Sequence, residues 1–108
     1  MDAWELAELR AAQERVGRPY HEFHHVASLS VGLYRLPADG TDGQSPHAQD
    51  EIYHVLSGRA LIHVGEEDRP VRAGSTVFVA AGVDHRFHAI EEDLDVLVFF
   101  APAESSKR

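Results

Sequence analysis

The chain has 108 residues, a mass of 12.0 kDa, 44% hydrophobic residues and no cysteine. This length supports one domain with a single core, and the lack of cysteine excludes disulfides and thiolate metal sites. The net charge of -8, from 10 basic and 18 acidic residues, argues against nucleic acid as a partner, because the phosphates require a basic surface.

The N-terminal segment has the features of neither a secretory signal nor a membrane span. It lacks a basic region followed by an apolar one, which a secretory signal requires. No apolar run anywhere in the chain approaches the ~18 residues needed to cross a bilayer. We therefore expect a cytoplasmic protein that does not associate with a membrane.

The first predicted element is a helix from Asp2 to Val16. Asp2 and Glu5 have the spacing of a capping box, and the interior is rich in the good helix formers Ala, Leu, Glu, Gln and Arg. A helix this short is marginal alone. We expect its apolar stripe, which includes Leu6, to dock on the main body or on a second subunit. Residues 1–18 are thus predicted to form a helical arm.

The rest of the chain has the alternating pattern of β-strands. Seven or eight short apolar runs are predicted, with turn signals roughly every 8–12 residues. Turns are predicted at residues 57–58 and in the acidic segments 66–68 and 91–95. Since no helical pattern separates the runs, an antiparallel sandwich or barrel is favoured. Residues 19–103 are predicted to form this β-domain, and residues 104–108 a disordered tail.

Segment 45–58, SPHAQDEIYHVLSG, contains the donors of a candidate metal site. Because side chains alternate along an extended chain, His47, Gln49 and Glu51 can point to one side. A second histidine, His85, lies in the segment AAGVDHRFH. Two imidazoles and a carboxylate suit Fe(II), and the same donors bind Mn, Ni and Zn. On spacing alone the pattern has low specificity, because His-x-x-x-Glu is frequent by chance.

The two donor segments resemble the two motifs of the cupin family. Six residues separate Glu51 from Gly58, and His47 occupies the position of the second histidine in the first motif. Gly82 and His85 reproduce the spacing of the second motif. The resemblance implies a small single-domain cupin, an all-β protein whose antiparallel jelly-roll β-barrel follows the short N-terminal helix. It also implies a divalent transition metal inside the barrel.

The chain departs from the family pattern at three positions. Ser45 replaces the first histidine, Ala80 a proline and Ala89 the terminal asparagine. Because a hydroxyl is a poor ligand for a divalent transition metal, the fourth metal position is open to Gln49, Ser45 or water. The predicted metal ligands are His47, Gln49, Glu51 and His85.

Tyr53 is the candidate for proton transfer. By alternation Tyr53 and Phe87 line the same cavity as Glu51 and His85, so both are expected to pack in the core. The tyrosine hydroxyl can also bind a ligand or act as an acid. The other histidines are predicted to lie outside the site: His21, His24, His25, His54, His63 and His88.

The resemblance implies two main functions. Because cupins include dioxygenases, isomerases, epimerases and decarboxylases, the first is a metal-dependent enzyme, of dioxygenase or isomerase type, acting on a small molecule in the barrel. The second is a non-catalytic module that binds a metal or small ligand. A purely structural cupin with an empty site is a third interpretation. We also expect a homodimer, from the resemblance and from the apolar stripe of the helix.

Overall fold

The computed structural model describes residues 1–104, which form one helix and six antiparallel strands. The strand order is β1-β2-β6-β3-β4, and β5 also pairs with β3. Within the described residues the ladder does not close on itself, so a closed barrel is not confirmed. The elements are α1 (Leu6–Val16), β1 (Tyr20–Val26), β2 (Leu29–Leu36), β3 (Asp50–Val64), β4 (Glu67–Arg72), β5 (Thr76–Val79) and β6 (His85–Ala101).

Helix α1 begins at Leu6, four residues later than the sequence predicts. The N-cap is Glu5, whose backbone is extended and whose side chain makes no capping hydrogen bond. The predicted capping box of Asp2 and Glu5 is therefore wrong. Trp4 instead packs edge-to-face on Phe23, with ring centroids 5.1 Å apart. The contact places this part of the chain against β1 rather than in the helix.

Helix α1 docks on the sheet of its own chain, which is one of the two alternatives that its apolar stripe suggests. Leu9 and Gln13 are buried, and Gln13 Nε2 donates a hydrogen bond to the Leu33 carbonyl at 3.1 Å. Arg10 Nε donates to Asp95 Oδ2 at 2.7 Å, which links the helix to β6. In the part of the chain that the structure describes, no helix is long and apolar enough to span a membrane.

Strands β3 and β6 run for 15 and 17 residues, straight through two of the predicted turns. Residues 57–58 lie within β3 and residues 91–95 within β6. Gly58 has a φ of 97°, and a Cβ there would lie 2.3 Å from the Asp93 carbonyl oxygen. The β3–β6 register shifts at this point, so the glycine marks a bulge inside a strand, a common role of strand glycines. Six strands therefore replace the seven or eight predicted.

The inward-facing residues of β3 and β6 form the core. Along β3 Glu51, Tyr53 and Val55 are buried, whereas Ile52 lies between them and is 40% exposed. This is the period of two that the sequence predicts. The largest buried apolar side chains of the core cluster include Tyr53, Phe87, Ile90, Leu94 and Phe100. The same alternation that builds the core thus carries the Glu51 carboxylate into it.

Of the predicted disordered tail, residues 105–108 lie outside the described residues. Glu104 is buried, and its backbone N–H donates to Ser30 Oγ at 2.9 Å. The chain is therefore attached to β2 at this point.

Candidate metal centre

His85 opens strand β6 and is buried. Its Nδ1 lies 2.9 Å from the Val83 carbonyl oxygen. Because a carbonyl only accepts, Nδ1 carries the ring proton and donates it. In the neutral ring, Nε2 then presents a lone pair to Glu51 Oε1, 2.8 Å away. Two lone pairs at this distance repel each other unless a proton or a metal ion lies between them.

Glu51 supplies a buried carboxylate to the same centre. Its residue is 2% exposed, and it is held by backbone pairing with Val79 of β5 and Phe100 of β6. Apart from the contact with His85, neither carboxylate oxygen has a hydrogen-bond partner among residues 1–104. Burying a carboxylate without such partners is costly. A cation beside the carboxylate would offset this cost.

His47 completes a cluster of three predicted ligands. It lies in the loop before β3, where its carbonyl accepts a hydrogen bond from the Gly82 N–H at 2.7 Å. This bond joins the two sequence motifs. One potential ligand atom each from His47, Glu51 and His85 lie within 4.8 Å of one another. Two imidazoles and a carboxylate at this spacing fit a divalent transition metal.

Electrostatics favours positive charge at His85. Burial alone lowers the pKa of His85, but the hydrogen bonds with Glu51 and Val83 raise it. The negative charges of Glu51 and Asp42 raise it further, and the net pKa lies above the ordinary value for histidine. Protonation of His85 is therefore easier than that of an ordinary histidine.

Tyr53 lies beside this cluster, as its alternation predicts. Its ring centroid is 6.0 Å from that of His85 and 4.9 Å from that of Phe87. Burial, followed by the charge of Glu51, raises the pKa of Tyr53 well above its ordinary value. The hydroxyl stays protonated and donates to Gln44 Oε1 at 2.9 Å. Gln49 is also buried, and its role as a ligand stays a prediction.

Two residues of the loop before β3, Asp42 and Gln44, were missed by the sequence prediction. Asp42 is buried. Its Oδ1 accepts from the Tyr34 hydroxyl at 2.6 Å, and its Oδ2 accepts from Gln44 Nε2 at 2.7 Å and from the Phe87 N–H at 2.9 Å. Gln44 Oε1 in turn lies 3.3 Å from His47 Nε2. In the sequence both residues belong to a turn-rich segment, and only their nearness to the first motif pointed to the site.

The model of the family described as "Cupin domain" matches residues 32–101, which contain all three clustered ligands. The chain belongs to the cupin family. An uncharacterized protein of Streptomyces coelicolor is 53% identical over 105 residues, covering 97% of this chain and 100% of that protein.

Two solved structures show the same fold. An RmlC-like cupin from Shewanella frigidimarina has a TM-score of 0.72 at 18% identity, over 78% of this chain and 75% of that one. The DMSP lyase DddQ from Ruegeria pomeroyi has a TM-score of 0.72 at 20% identity, over 82% of this chain and 50% of that one. At such identities the likeness concerns the fold alone.

A cavity of about 170 Å³ adjoins the candidate metal centre of this cupin at His47. This is below the roughly 300–1,000 Å³ of pockets for drug-sized ligands, so it suits a smaller molecule. Its walls are aromatic, aliphatic and neutral polar: Tyr20, Tyr34, Gln44, Ser45, His47, Val98 and Phe100. Ser45, which replaces the first histidine of the cupin pattern, therefore faces the cavity beside His47.

The other histidines of this cupin lie away from the centre, as predicted. His54 Nδ1 is 2.8 Å from Thr76 Oγ1 on the outer face. His63 and His88 both contact the exposed Asp68, with Oδ1 at 3.3 Å and 2.6 Å from their ring nitrogens. The remaining three, His21, His24 and His25, lie on β1.

Proposed function

We propose that this cupin binds a divalent transition metal through His47, Glu51 and His85 and acts as a metal-dependent enzyme on a small molecule. The observation that carries the proposal is the buried pair of His85 Nε2 and Glu51 Oε1, 2.8 Å apart. Because the proton on His85 Nδ1 is donated to Val83, Nε2 is the ring nitrogen available to the metal.

The donor set suits Fe, Mn, Ni or Zn. When bound, such an ion polarises a carbonyl of the substrate or activates dioxygen or water, which corresponds to chemistry of the dioxygenase or isomerase type. A substrate reaches the centre through the cavity beside His47. Tyr53, which keeps its hydroxyl proton, is the candidate proton donor. One structure of similar fold, DddQ, is a DMSP lyase, so this fold is compatible with catalysis.

A non-catalytic module that binds a metal or small ligand is the second candidate. No charged side chain lines the cavity in the described structure, and the Tyr53 hydroxyl is already hydrogen-bonded to Gln44. Outside the proposed metal ligands, the acid or base groups that the structure describes at the centre are therefore limited to tyrosine hydroxyls, those of Tyr20 and Tyr34 in the cavity wall and that of Tyr53. This observation favours binding without turnover.

Metal analysis of protein purified without chelator tests the metal site. We expect close to one equivalent in the wild type after reconstitution and a large loss in His47→Ala and His85→Ala. Less than a few tenths of an equivalent in the wild type, with no change in His47→Ala, would reject the proposal. His54→Ala, on the outer face, is the matched control.

Oxygen uptake and product analysis separate the enzyme from the binding module. The Fe(II) form is tested with catechols, β-diketones and small carboxylic acids, and the other metal forms with the same compounds. Turnover that disappears in Glu51→Gln supports the enzyme. Saturable binding of one of these compounds without turnover supports the module.

We also infer the higher organisation that the sequence predicts, with a helical arm at 1–18, a jelly-roll barrel at 19–103, a cytoplasmic location and a homodimer. Ile52 and Phe78 pair across β3 and β5 and are 40% and 58% exposed. Their apolar surface supports association. Sedimentation that finds only a 12.0 kDa species would contradict the dimer.

A further inference from the structure

Gln44 lies beside His47, one of the three clustered candidate ligands. Its Oε1 is 3.3 Å from His47 Nε2. Two ligands of one ion, each about 2.1 Å from it, lie roughly 3 Å apart at the usual angles. His85 Nε2 and Glu51 Oε1, which are 2.8 Å apart, also have about the spacing expected of two ligands of one ion. The 3.3 Å contact is also longer than the usual range of roughly 2.7–3.2 Å for an N–H···O hydrogen bond.

The orientation of the Gln44 amide is set by Asp42. Gln44 Nε2 donates to Asp42 Oδ2 at 2.7 Å, and a carboxylate accepts but does not donate. Asp42 is itself fixed by the Tyr34 hydroxyl and the Phe87 N–H. The amide oxygen, rather than the nitrogen, is therefore held towards His47 Nε2.

Gln44 Oε1 has enough lone pairs both for its hydrogen bond and for a metal ion. A carbonyl oxygen has two lone pairs. The Tyr53 hydroxyl occupies one through its hydrogen bond of 2.9 Å, and the other is available on the side of His47. The supporting contacts with Asp42 and Tyr53 are of the kind that orients a metal ligand before the ion binds.

We propose that Gln44 Oε1 is the fourth protein ligand of the metal, in place of the histidine that Ser45 replaces. The proposal rests on the metal site of the proposed function. It assigns the amide oxygen to Gln44 rather than to Gln49, which the sequence suggested. An amide oxygen is a neutral and harder donor than imidazole, so the centre shifts towards metals that accept oxygen ligands.

Co²⁺ titration tests the assignment, with the dissociation constant and the visible d–d absorption as readouts. We expect Gln44→Leu to weaken Co²⁺ binding about tenfold or more and to change the absorption envelope, because one donor is lost. Gln44→Glu retains an oxygen donor and should retain the envelope. Gln49→Leu, a change of the same size, tests the alternative amide ligand. Thermal melting in chelator checks that each variant is folded.

Asp42→Asn is a second variant that leaves Gln44 in place. An asparagine at position 42 can donate as well as accept, so it no longer fixes which end of the Gln44 amide faces His47. Because the negative charge of Asp42 also favours a cation at His85, the readout is the absorption envelope rather than the affinity, and the envelope should change as in Gln44→Leu. This variant keeps the inference testable if Gln44→Leu does not fold.

The outcomes separate this inference from the proposed function. If the wild type binds no Co²⁺, the metal site itself is rejected. If the wild type binds it and Gln44→Leu matches the wild type in affinity and absorption, Gln44 is not a ligand, although the three-residue site stands. Weaker binding with an unchanged absorption envelope would make Gln44 a residue that only positions His47. A changed envelope in Gln49→Leu instead would assign Gln49.

Discussion

His85 Nε2 lies 2.8 Å from Glu51 Oε1, and each of the two side chains is only 1% exposed. Strand β6 begins at His85 and strand β3 carries Glu51, so the two residues come from different parts of the chain. Their contact joins a buried negative charge to an imidazole whose other nitrogen is already engaged. The raised pKa of His85 is consistent with this contact, because the carboxylate favours positive charge on the ring.

Glu51→Gln should abolish most of the thermal stabilisation that metal gives to the wild type. Without metal, the neutral amide removes a buried charge, so we expect a melting temperature equal to or above that of the wild type. With metal at 100 times its dissociation constant, the wild type should gain about 2.7 kcal/mol, or roughly 10–20 °C for a domain of this size, and the variant should gain little. Calorimetry with and without chelator measures both.

Glu92→Gln is the matched control for Glu51→Gln, because Glu92 is exposed and contacts Arg59 on the surface. It should respond to metal like the wild type. An equal metal-induced gain in Glu51→Gln and in the wild type would contradict the role of Glu51 as a ligand.

The pH dependence follows from the raised pKa of His85. Because protonation is favoured in the folded state, its contribution to the stability of the metal-free protein is fully present below the unfolded pKa of about 6.5. It is lost as the pH rises through the higher folded pKa. Metal affinity should rise over the same window, because the metal displaces the proton. The groups that face His85 are Glu51, His47 and Asp42.

Melting in chelator as a function of pH measures this contribution, with His85→Gln as the comparison. Calorimetric titration with metal in buffers of different ionisation enthalpy measures the protons released. We expect the release to approach zero above the folded pKa. Proton release that is independent of pH would contradict the assignment to His85.

Alternation explains why the residues on strands could be predicted from the sequence. Because side chains alternate between the two faces of a sheet, burying one residue of a strand fixes the face of the others. Glu51 and Tyr53 therefore both point into the core. His85 is fixed in the same way with Phe87 on β6. The family motif added His47, whose loop position no periodicity determines.

Asp42 and Gln44 lie in the loop between β2 and β3, where side-chain direction depends on tertiary contacts. Asp42 is buried through bonds to Tyr34 and to the backbone of Phe87, residues that are distant in sequence from one another. The composition of this segment indicates only a turn. The same limit applies to Gly58, because turn and bulge glycines look alike in a sequence.

Asp95 should link helix α1 to the sheet energetically. Its buried carboxylate accepts from Arg10 Nε at 2.7 Å and from Arg35 Nε at 2.8 Å. The two arginine side chains are about one-third exposed, which reduces the value of each ion pair. We expect Asp95→Asn to lower the free energy of unfolding by about 2 kcal/mol, measured by urea denaturation.

Glu91→Gln is the control for Asp95→Asn, since Glu91 pairs with Arg59 where both side chains are largely exposed. It should change stability by less than about 0.5 kcal/mol. A double-mutant cycle with Arg10→Met then isolates the link to the helix. A coupling energy near zero would show that the Arg10–Asp95 pair does not hold α1 on the sheet.

Gly58→Ala should be among the most damaging single substitutions in this fold. Gly58 has a positive φ. A Cβ added there would lie 2.3 Å from the Asp93 carbonyl oxygen and 2.8 Å from the Leu94 Cα. These are backbone atoms of β6, which cannot move without breaking the β3–β6 ladder. Backbone strain and overpacking together should cost about 3 kcal/mol or more, as measured by urea denaturation.

Gly74→Ala separates the two causes in Gly58→Ala. Gly74 has a φ of 94°, almost the same as Gly58, but a Cβ there meets no atom within 4 Å. The free energy of unfolding of Gly74→Ala should fall only by the cost of the left-handed backbone, about 1–2 kcal/mol. If the two variants are destabilised equally, the close approach of β6 to Gly58 contributes nothing. A larger loss of stability in Gly58→Ala means that the close approach of β6 also requires glycine at this position. With glycine there, β3 and β6 continue through the bulge as unbroken strands. Each of these strands carries a proposed metal ligand near one end.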